Sequence, residues 1–257
     1  MKNDTLILKN MKKFIIISLI SLFSQFSSAQ NKILIHFNQQ VGYILHYYIT
    51  NSDGIFVLDY SGELEAVILG DYTNEIAIMD AINDLKFNRI TKQFVLGNTP
   101  LYAYNLREII YPDDYAVKDD EFKNYPIRIN GRNIEYFDNY YERKTVKGKI
   151  KKIGHTKLSY FNTYYLPDQI KGKIKKIGNI ELSLLNEYYR PEIIGFVKKI
   201  GSIDIKYARN TRHEELNNKV IQIGQMHIEY YEDYNQQSHL GMFKRITGED
   251  DRYLLLQ

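Results

Sequence analysis

The chain contains no cysteine and no tryptophan, and only 5 of its 257 residues are proline. Without cysteine there is no disulfide, no thiolate zinc site, no thiol nucleophile and no lipid anchor of the kind that acylates a cysteine. A surplus of one charge sign is missing too. Of the 34 basic and 31 acidic residues, Lys2, Lys9, Lys12, Lys13 and Asp4 fall within residues 1–29, and setting those aside leaves equal numbers of each. Nucleic-acid-binding domains carry a clear basic excess, so no nucleic-acid partner is expected. Beyond residue 29 no apolar run approaches the roughly 18 residues of a membrane helix, so no span is expected there.

What the chain has in abundance is tyrosine, with 23 residues, beside 12 phenylalanines. Tyrosine favours strands, where its ring packs on a pleated surface while the hydroxyl reaches water or an acceptor. The first thirty residues read differently. Lys12 and Lys13 form a basic region, residues 14–26 are apolar apart from small or amide side chains, and Ser27, Ser28 and Ala29 supply the small residues of a cleavage site. This is the pattern of a signal peptide over 1–29, with Met1 or Met11 as the start. The expectation is an exported protein: periplasmic, associated with the outer surface, or secreted.

Internal repetition dominates the second half. Gly-Lys-Ile-Lys-Lys-Ile-Gly at 148–154 recurs identically at 172–178, then as Gly-Phe-Val-Lys-Lys-Ile-Gly at 195–201 and Asn-Lys-Val-Ile-Gln-Ile-Gly at 218–224. Residues 125–131 are a degenerate first copy and 241–247 begin a truncated last one. The dipeptides Asn130-Gly131, Gly154-His155, Gly178-Asn179, Gly201-Ser202 and Gly224-Gln225 follow at spacings of 24, 24, 23 and 23 residues. Such dipeptides between strand-like runs are the loops of two-residue hairpins. Each unit is therefore a hairpin plus a connection of about ten residues, and stacked units can share one apolar stripe that a lone hairpin cannot bury.

Aligned on the turns, the buried face is formed by Ile129, Ile153, Ile177, Ile200 and Ile223, by Ile134, Leu158, Leu182, Ile205 and Ile228, and by Tyr136, Tyr160, Leu184, Tyr207 and Tyr230. On the opposite face Lys176 should oppose Glu181 and Lys199 should oppose Asp204, while Lys152 meets Lys157. Lys149, Lys151, Lys152, Lys173, Lys175, Lys176, Lys198 and Lys199 recur at matching places. Six of them, Lys151, Lys152, Lys175, Lys176, Lys198 and Lys199, form a candidate anion-binding ladder. The alternative reading is a set of edge lysines that discourage sheet-to-sheet pairing. Tyr140-Tyr141, Tyr164-Tyr165 and Tyr188-Tyr189, with a single Tyr234, follow the second strands. These rings either pack between neighbouring hairpins or form an aromatic platform for sugar rings.

The hairpin array of residues 125–247, with its Lys-Ile-Gly then Tyr-Tyr signature, has an architecture that distantly resembles MORN-type arrays of β-hairpins about 23 residues long. It looks closer to uncharacterised exported bacterial proteins built from the same kind of repeat. The resemblance implies a scaffold or interaction role.

Residues 30–110 lack the repeat but keep β character. Strands are expected over 32–37 and 42–49, and hairpins over 54–69 and 88–104, the latter as a diverged member of the array. One helix is predicted over 71–87, capped by Thr73 or Asn74, with Ile76, Met79, Ile82 and Leu85 on its buried face. Residues 111–124 read as a linker, and 125–257 as the repeat array. The fold class is thus mostly β: antiparallel hairpin repeats in an extended sheet or short solenoid, after a small β-rich module with one helix.

No catalytic, cofactor or metal motif stands out. His36, His46, His155, His213, His227 and His239 fit no ligand spacing, even where Glu214 and Glu215 follow His213. Asp119-Asp120-Glu121 and Glu249-Asp250-Asp251 lack the spacing of a calcium loop and read as solvated loops. No cofactor is expected. The reading this supports is a non-enzymatic binding or structural protein of the cell envelope, partnered by an anionic envelope polymer, a polysaccharide or another envelope protein. The alternative is a hydrolase or metal-dependent enzyme with its site in the N-terminal module.

Overall fold

Short apolar alternations after residue 31 fold into a mixed sheet. The computed structural model describes residues 31–70, 72, 75–86, 93–96, 99–103, 107–112, 123–137, 144–209, 214–232, 240–248 and 254–256. Strands β1 (Lys32–Asn38), β2 (Tyr43–Asn51), β3 (Gly54–Asp59) and β4 (Leu64–Leu69) form an antiparallel meander. Helix α1 (Glu75–Lys86) then leads to the hairpin β5 (Gln93–Leu96) and β6 (Thr99–Ala103), with β6 parallel to β4. After the whole array the chain returns, and β19 (Leu254–Leu256) adds parallel to β1. The sheet order is β19-β1-β2-β3-β4-β6-β5.

The repeats form a second sheet. Its strands are β7 (Ile109–Ile110), β8 (Arg128–Ile129), β9 (Arg132–Tyr136), β10 (Ile150–Ile153), β11 (Thr156–Tyr160), β12 (Ile174–Ile177), β13 (Ile180–Leu184), β14 (Val197–Ile200), β15 (Ile203–Tyr207), β16 (Val220–Ile223), β17 (Met226–Tyr230) and β18 (Phe243–Thr247). Among the described residues these twelve lie side by side in chain order, so successive hairpins are joined by ladder hydrogen bonds. The turns divide into two kinds. Asn130 and Gly131 both have positive φ, 48° and 77°, as a type I′ turn needs, whereas Gly154, Gly178, Gly201 and Gly224 have φ of 55–58° followed by an ordinary residue, as in type II′.

Ile150 and Ile153 are both buried although they stand three apart, which a regular strand of period two forbids. A β-bulge resolves the conflict. Ile150 opposes Tyr136 while Lys152 opposes the adjacent Glu135, so Lys151 is the extra residue. The same shift recurs where β12, β14, β16 and β18 meet the preceding strand. Each bulge takes backbone groups out of the ladder, and the repeat tyrosine serves one of them. The hydroxyls of Tyr160, Tyr207 and Tyr230 donate to the bulge carbonyls of Ile150, Val197 and Val220, and that of Tyr136 donates to Pro126 O ahead of β8, all at 2.7–2.8 Å. Burial pushes the titration of all four hydroxyls far upward.

The freed amides are met from the other sheet. Ile174 N–H donates to Gly62 O (3.0 Å), Val197 N–H to Tyr60 O (3.3 Å) and Val220 N–H to Gly42 O (3.0 Å). The β1–β2 and β3–β4 turns thus rest on the bulges. At the opposite end the β2–β3 turn holds Asp53, whose buried carboxylate accepts from His155 N–H, Thr156 N–H and Thr156 Oγ1 at 2.9, 2.9 and 2.6 Å.

One continuous core therefore lies between the sheets. Ile35, Phe37, Tyr47, Ile49, Phe56, Leu58 and Val67 of the first sheet pack with the Ile/Leu/Tyr stripe of the array. Full burial of each large apolar side chain contributes roughly 1.5–3 kcal/mol. A second, smaller core on the other face of the first sheet joins Leu34, Tyr48, Ile55, Val57, Ala66 and Ile68 to the helix. The layers are helix, mixed sheet and hairpin sheet.

Several expectations change. The helix buries Ile78, Ala81 and Ile82, and Met79 is only half-buried. The capping residues Thr73 and Asn74 lie outside the described residues, as does 113–122 of the linker. The 88–104 hairpin belongs to the edge of the first sheet and not to the array, because β6 pairs with β4. Leu184, the one departure from tyrosine at its position, lies with Leu182 and Val197 against the turn at Gly62 and is only half-buried.

Candidate functional site

The face of the array turned from the core carries the lysine doublets, and the bulge is the reason both members of each doublet stay out of the core. Lys151, Lys175 and Lys198 occupy the extra bulge position and are exposed. Lys152, Lys176 and Lys199 stand in the ladder with the registers read from the sequence: Lys152 opposite Lys157, Lys176 opposite Glu181 and Lys199 opposite Asp204. Lys199 pairs with Asp204 at 3.4 Å. Lys152 escapes its like-charged neighbour by pairing with Glu135 of the preceding hairpin at 3.1 Å. The ladder is thus partly neutralised from within. Its lysines lie on interior strands, so the edge-protection reading does not apply to them.

Lys149 and Lys173 leave the ladder altogether. Lys149 Nζ donates to Gly172 O (2.7 Å) and Lys173 Nζ to Gly195 O (3.2 Å), and Lys219 Nζ repeats the contact with Gly241 O (2.5 Å). Each latches one unit to the next. Burial lowers the pKa of all three ammonium groups. Where the third glycine-turn hairpin has Phe196 in the lysine position, its ring meets Tyr207 and Tyr60 edge-on at 5.6 and 5.0 Å.

The tyrosine doublets are solvent-facing. Tyr164, Tyr165, Tyr188 and Tyr189 are 75%, 90%, 86% and 93% exposed, so the expectation that they pack between hairpins fails for these four. The two rings of each doublet meet edge-on, with centroids 5.5 and 5.7 Å apart. They project from equivalent connections of successive units. Tyr140, Tyr141 and Tyr234 lie outside the described residues.

Between the bulge positions of neighbouring units the outer face is grooved. One groove is lined by Arg190, Lys198, Lys206 and Arg209 with Leu185, Ile205, Tyr207 and Ile221. The next is lined by Glu229, Tyr231, Glu232 and Lys244 with Ile221, Ile228 and Tyr230. Arg190, Lys206 and Arg209 escaped the sequence reading. The signal was the column five residues past the turn, where serine or glutamate stands in other units and Lys206 alone is basic.

His36 and His46 stack on the first sheet with ring centroids 5.7 Å apart, and His46 Nε2 lies 3.1 Å from Glu65. His155 and His227 are exposed on the array, while His213, His239, Asp119-Asp120-Glu121 and Glu249-Asp250-Asp251 lie outside the described residues. Among the described residues no three histidine, aspartate or glutamate side chains converge as a metal site. No helix among them is long and apolar enough to cross a membrane. The geometry defines a class: a two-sheet protein whose hairpin array offers one open face. Comparison of the chain with family models, curated proteins and solved structures finds no match.

Proposed function

We propose that the protein is an exported, non-enzymatic binding protein of the cell envelope that holds a polysaccharide along the rim of its repeat array. The carrying observation is the exposure of Tyr164, Tyr165, Tyr188 and Tyr189 at equivalent positions of successive units. Equivalent strands of neighbouring hairpins lie about 10 Å apart, twice the strand spacing, so the doublets form a regular series. Apolar C–H faces of sugar rings stack on such rings, and the hydroxyls remain free to hydrogen-bond. Export is supported by the pattern of residues 1–29, and the outward lysines of the array favour an acidic polymer over a neutral one.

The test is retention of native envelope polysaccharide by the purified protein. Changing Tyr164, Tyr165, Tyr188 and Tyr189 together to Ser should abolish retention while leaving the melting temperature in place, because all four rings are solvent-facing. Changing Lys151, Lys152, Lys175, Lys176, Lys198 and Lys199 to Gln should weaken retention most at low salt. Undiminished retention by the tyrosine variant refutes the proposal.

A further inference from the structure

The two grooves occupy equivalent places in the repeat but have opposite chemistry. Counting from the turn, Lys198, Lys206 and Arg209 of the first correspond to Ile221, Glu229 and Glu232 of the second. Lys198 holds a repeat position shared with Lys151 and Lys175, but the basic character that Lys206 and Arg209 add is no consequence of the repeat. It is concentrated in one place, between the third and fourth glycine-turn hairpins, immediately after the exposed Tyr188 and Tyr189.

The arginines of this groove are held from below. Arg190 Nη2 donates to Ala208 O (2.9 Å) and to Asn218 Oδ1 (2.6 Å), which fixes the guanidinium plane. Its Nη1 is enclosed by protein yet has no hydrogen-bond acceptor, with a carboxylate oxygen of Glu187 3.8 Å away. Glu187 is engaged elsewhere, accepting from Arg209 Nη2 at 2.5 Å. Glu192 lies 3.7 Å from Arg190 Nε. Two carboxylates thus attend the two arginines, while Lys198 and Lys206 add exposed positive charge beside the half-buried Ile221.

The geometry points to a subsite for one oxyanion substituent of an acidic glycan, bound by Lys198, Lys206 and the exposed Arg209 beside the fixed Arg190, while the adjacent sugar meets Tyr188 and Tyr189. This rests on the glycan-binding reading above and assigns the acidic group its place. The planar Arg209 guanidinium suits a carboxylate, sulfate or phosphate, and the lysines supply the point charges that draw it in. Glu187 is the intramolecular competitor: it occupies Arg209 until the ligand's oxyanion arrives.

The experiment titrates the full protein with oligomers of polygalacturonate, sulfated dextran and neutral dextran, matched in length. Acidic oligomers should bind more tightly than neutral ones, and the carboxylate and sulfate arms show which oxyanion fits. Lys198→Gln with Lys206→Gln should weaken acidic oligomers about tenfold, the equivalent of one charge-assisted hydrogen bond lost, and leave neutral dextran unaffected. Glu187→Gln should strengthen acidic binding by removing the competitor. Loss of like size in a control pair elsewhere on the array and outside the ladder, the exposed Lys157→Gln with Lys244→Gln, would show a diffuse charge effect and overturn the subsite. So would acidic affinity unchanged by the Lys198/Lys206 and Glu187 variants. If the four-tyrosine variant also binds every oligomer as the parent does, the glycan reading falls too. If that variant alone loses binding, only the subsite falls.

Discussion

Replacing Tyr207 by Phe deletes one oxygen from the core and leaves the ring in place. That oxygen donates 2.8 Å to Val197 O at the bulge of β14, where Val197 is fully buried. No cavity of consequence forms, so the cost is the lost hydrogen bond plus part of the desolvation of an acceptor that water cannot reach, about 1–2 kcal/mol. For a chain of this size each kcal/mol moves the melting temperature by about 2–4 °C, which gives an expected fall of about 2–8 °C. Tyr160→Phe should behave alike, since its hydroxyl meets Ile150 O in the same way at 2.8 Å. The two positions share no hydrogen-bond partner, so the double variant should be close to additive. Tyr188→Phe, on an exposed ring, is the control and should change nothing. Urea unfolding followed by circular dichroism reads all four proteins, with the slope expected to stay constant while the midpoint falls. A midpoint for Tyr207→Phe equal to that of Tyr188→Phe would refute the claim that the tyrosine secures the bulge.

Gly154→Ala and Gly178→Ala impose the same backbone strain, because φ is 55° and 58°. At Gly154, however, the new methyl would overlap the Asp53 carboxylate, whereas at Gly178 the nearest atom is 3.7 Å away. Thermal melts should show the first losing about 1–3 kcal/mol more than the second, and equal losses would contradict the Asp53 clamp. Lys173→Met keeps the stem and removes the donor to Gly195 O; it should lower the melting point by a few degrees, and an unchanged melt would remove the latch. Alkali should unfold the protein. The folded pKa values of Tyr160, Tyr207 and Tyr230 are raised by burial, so their contribution is intact below the ordinary tyrosine value near 10 and is lost as pH rises beyond it. Each withholds about 1.4 kcal/mol per pH unit above that point. The latch lysines act in the opposite sense: their lowered pKa values make the folded state shed protons first, which adds stability as pH approaches 10.5. Tyrosinate absorbance rising together with the loss of ellipticity is the expected result. Complete tyrosine titration with unchanged ellipticity would refute it.

Local features were legible in the residues. The turn dipeptides located every hairpin from β8 to β17, the Ile/Leu/Tyr columns named the buried face, and the Lys176–Glu181 and Lys199–Asp204 registers followed from two-residue loops. The bulge was legible in principle, since Ile-Lys-Lys-Ile puts two buried residues three apart. Non-local features were not. Nothing in Leu254–Leu256 announces a parallel pairing with β1 more than two hundred residues earlier, because parallel partners are joined by no turn that could carry a signal. The covering of the apolar stripe by the first sheet was hidden for the same reason. The candidate site divides likewise: the doublets are visible as repeats, but the Arg190 groove depends on which connection folds over which strand.

Three turns of the first sheet between them address four successive units of the array: Asp53 the turn at Gly154, Gly62 and Tyr60 the bulges at Ile174 and Val197, and Gly42 the bulge at Val220. An open solenoid gains or loses units freely, since each touches only its neighbours. Here the first sheet acts as a ruler. Inserting or removing one 24-residue unit between Gly154 and Val220 would shift the later marks by a full unit while the ruler kept its length. The number of hairpins is thereby fixed by a part of the chain that contains none of them, and the array must melt as one body with its ruler instead of unravelling unit by unit.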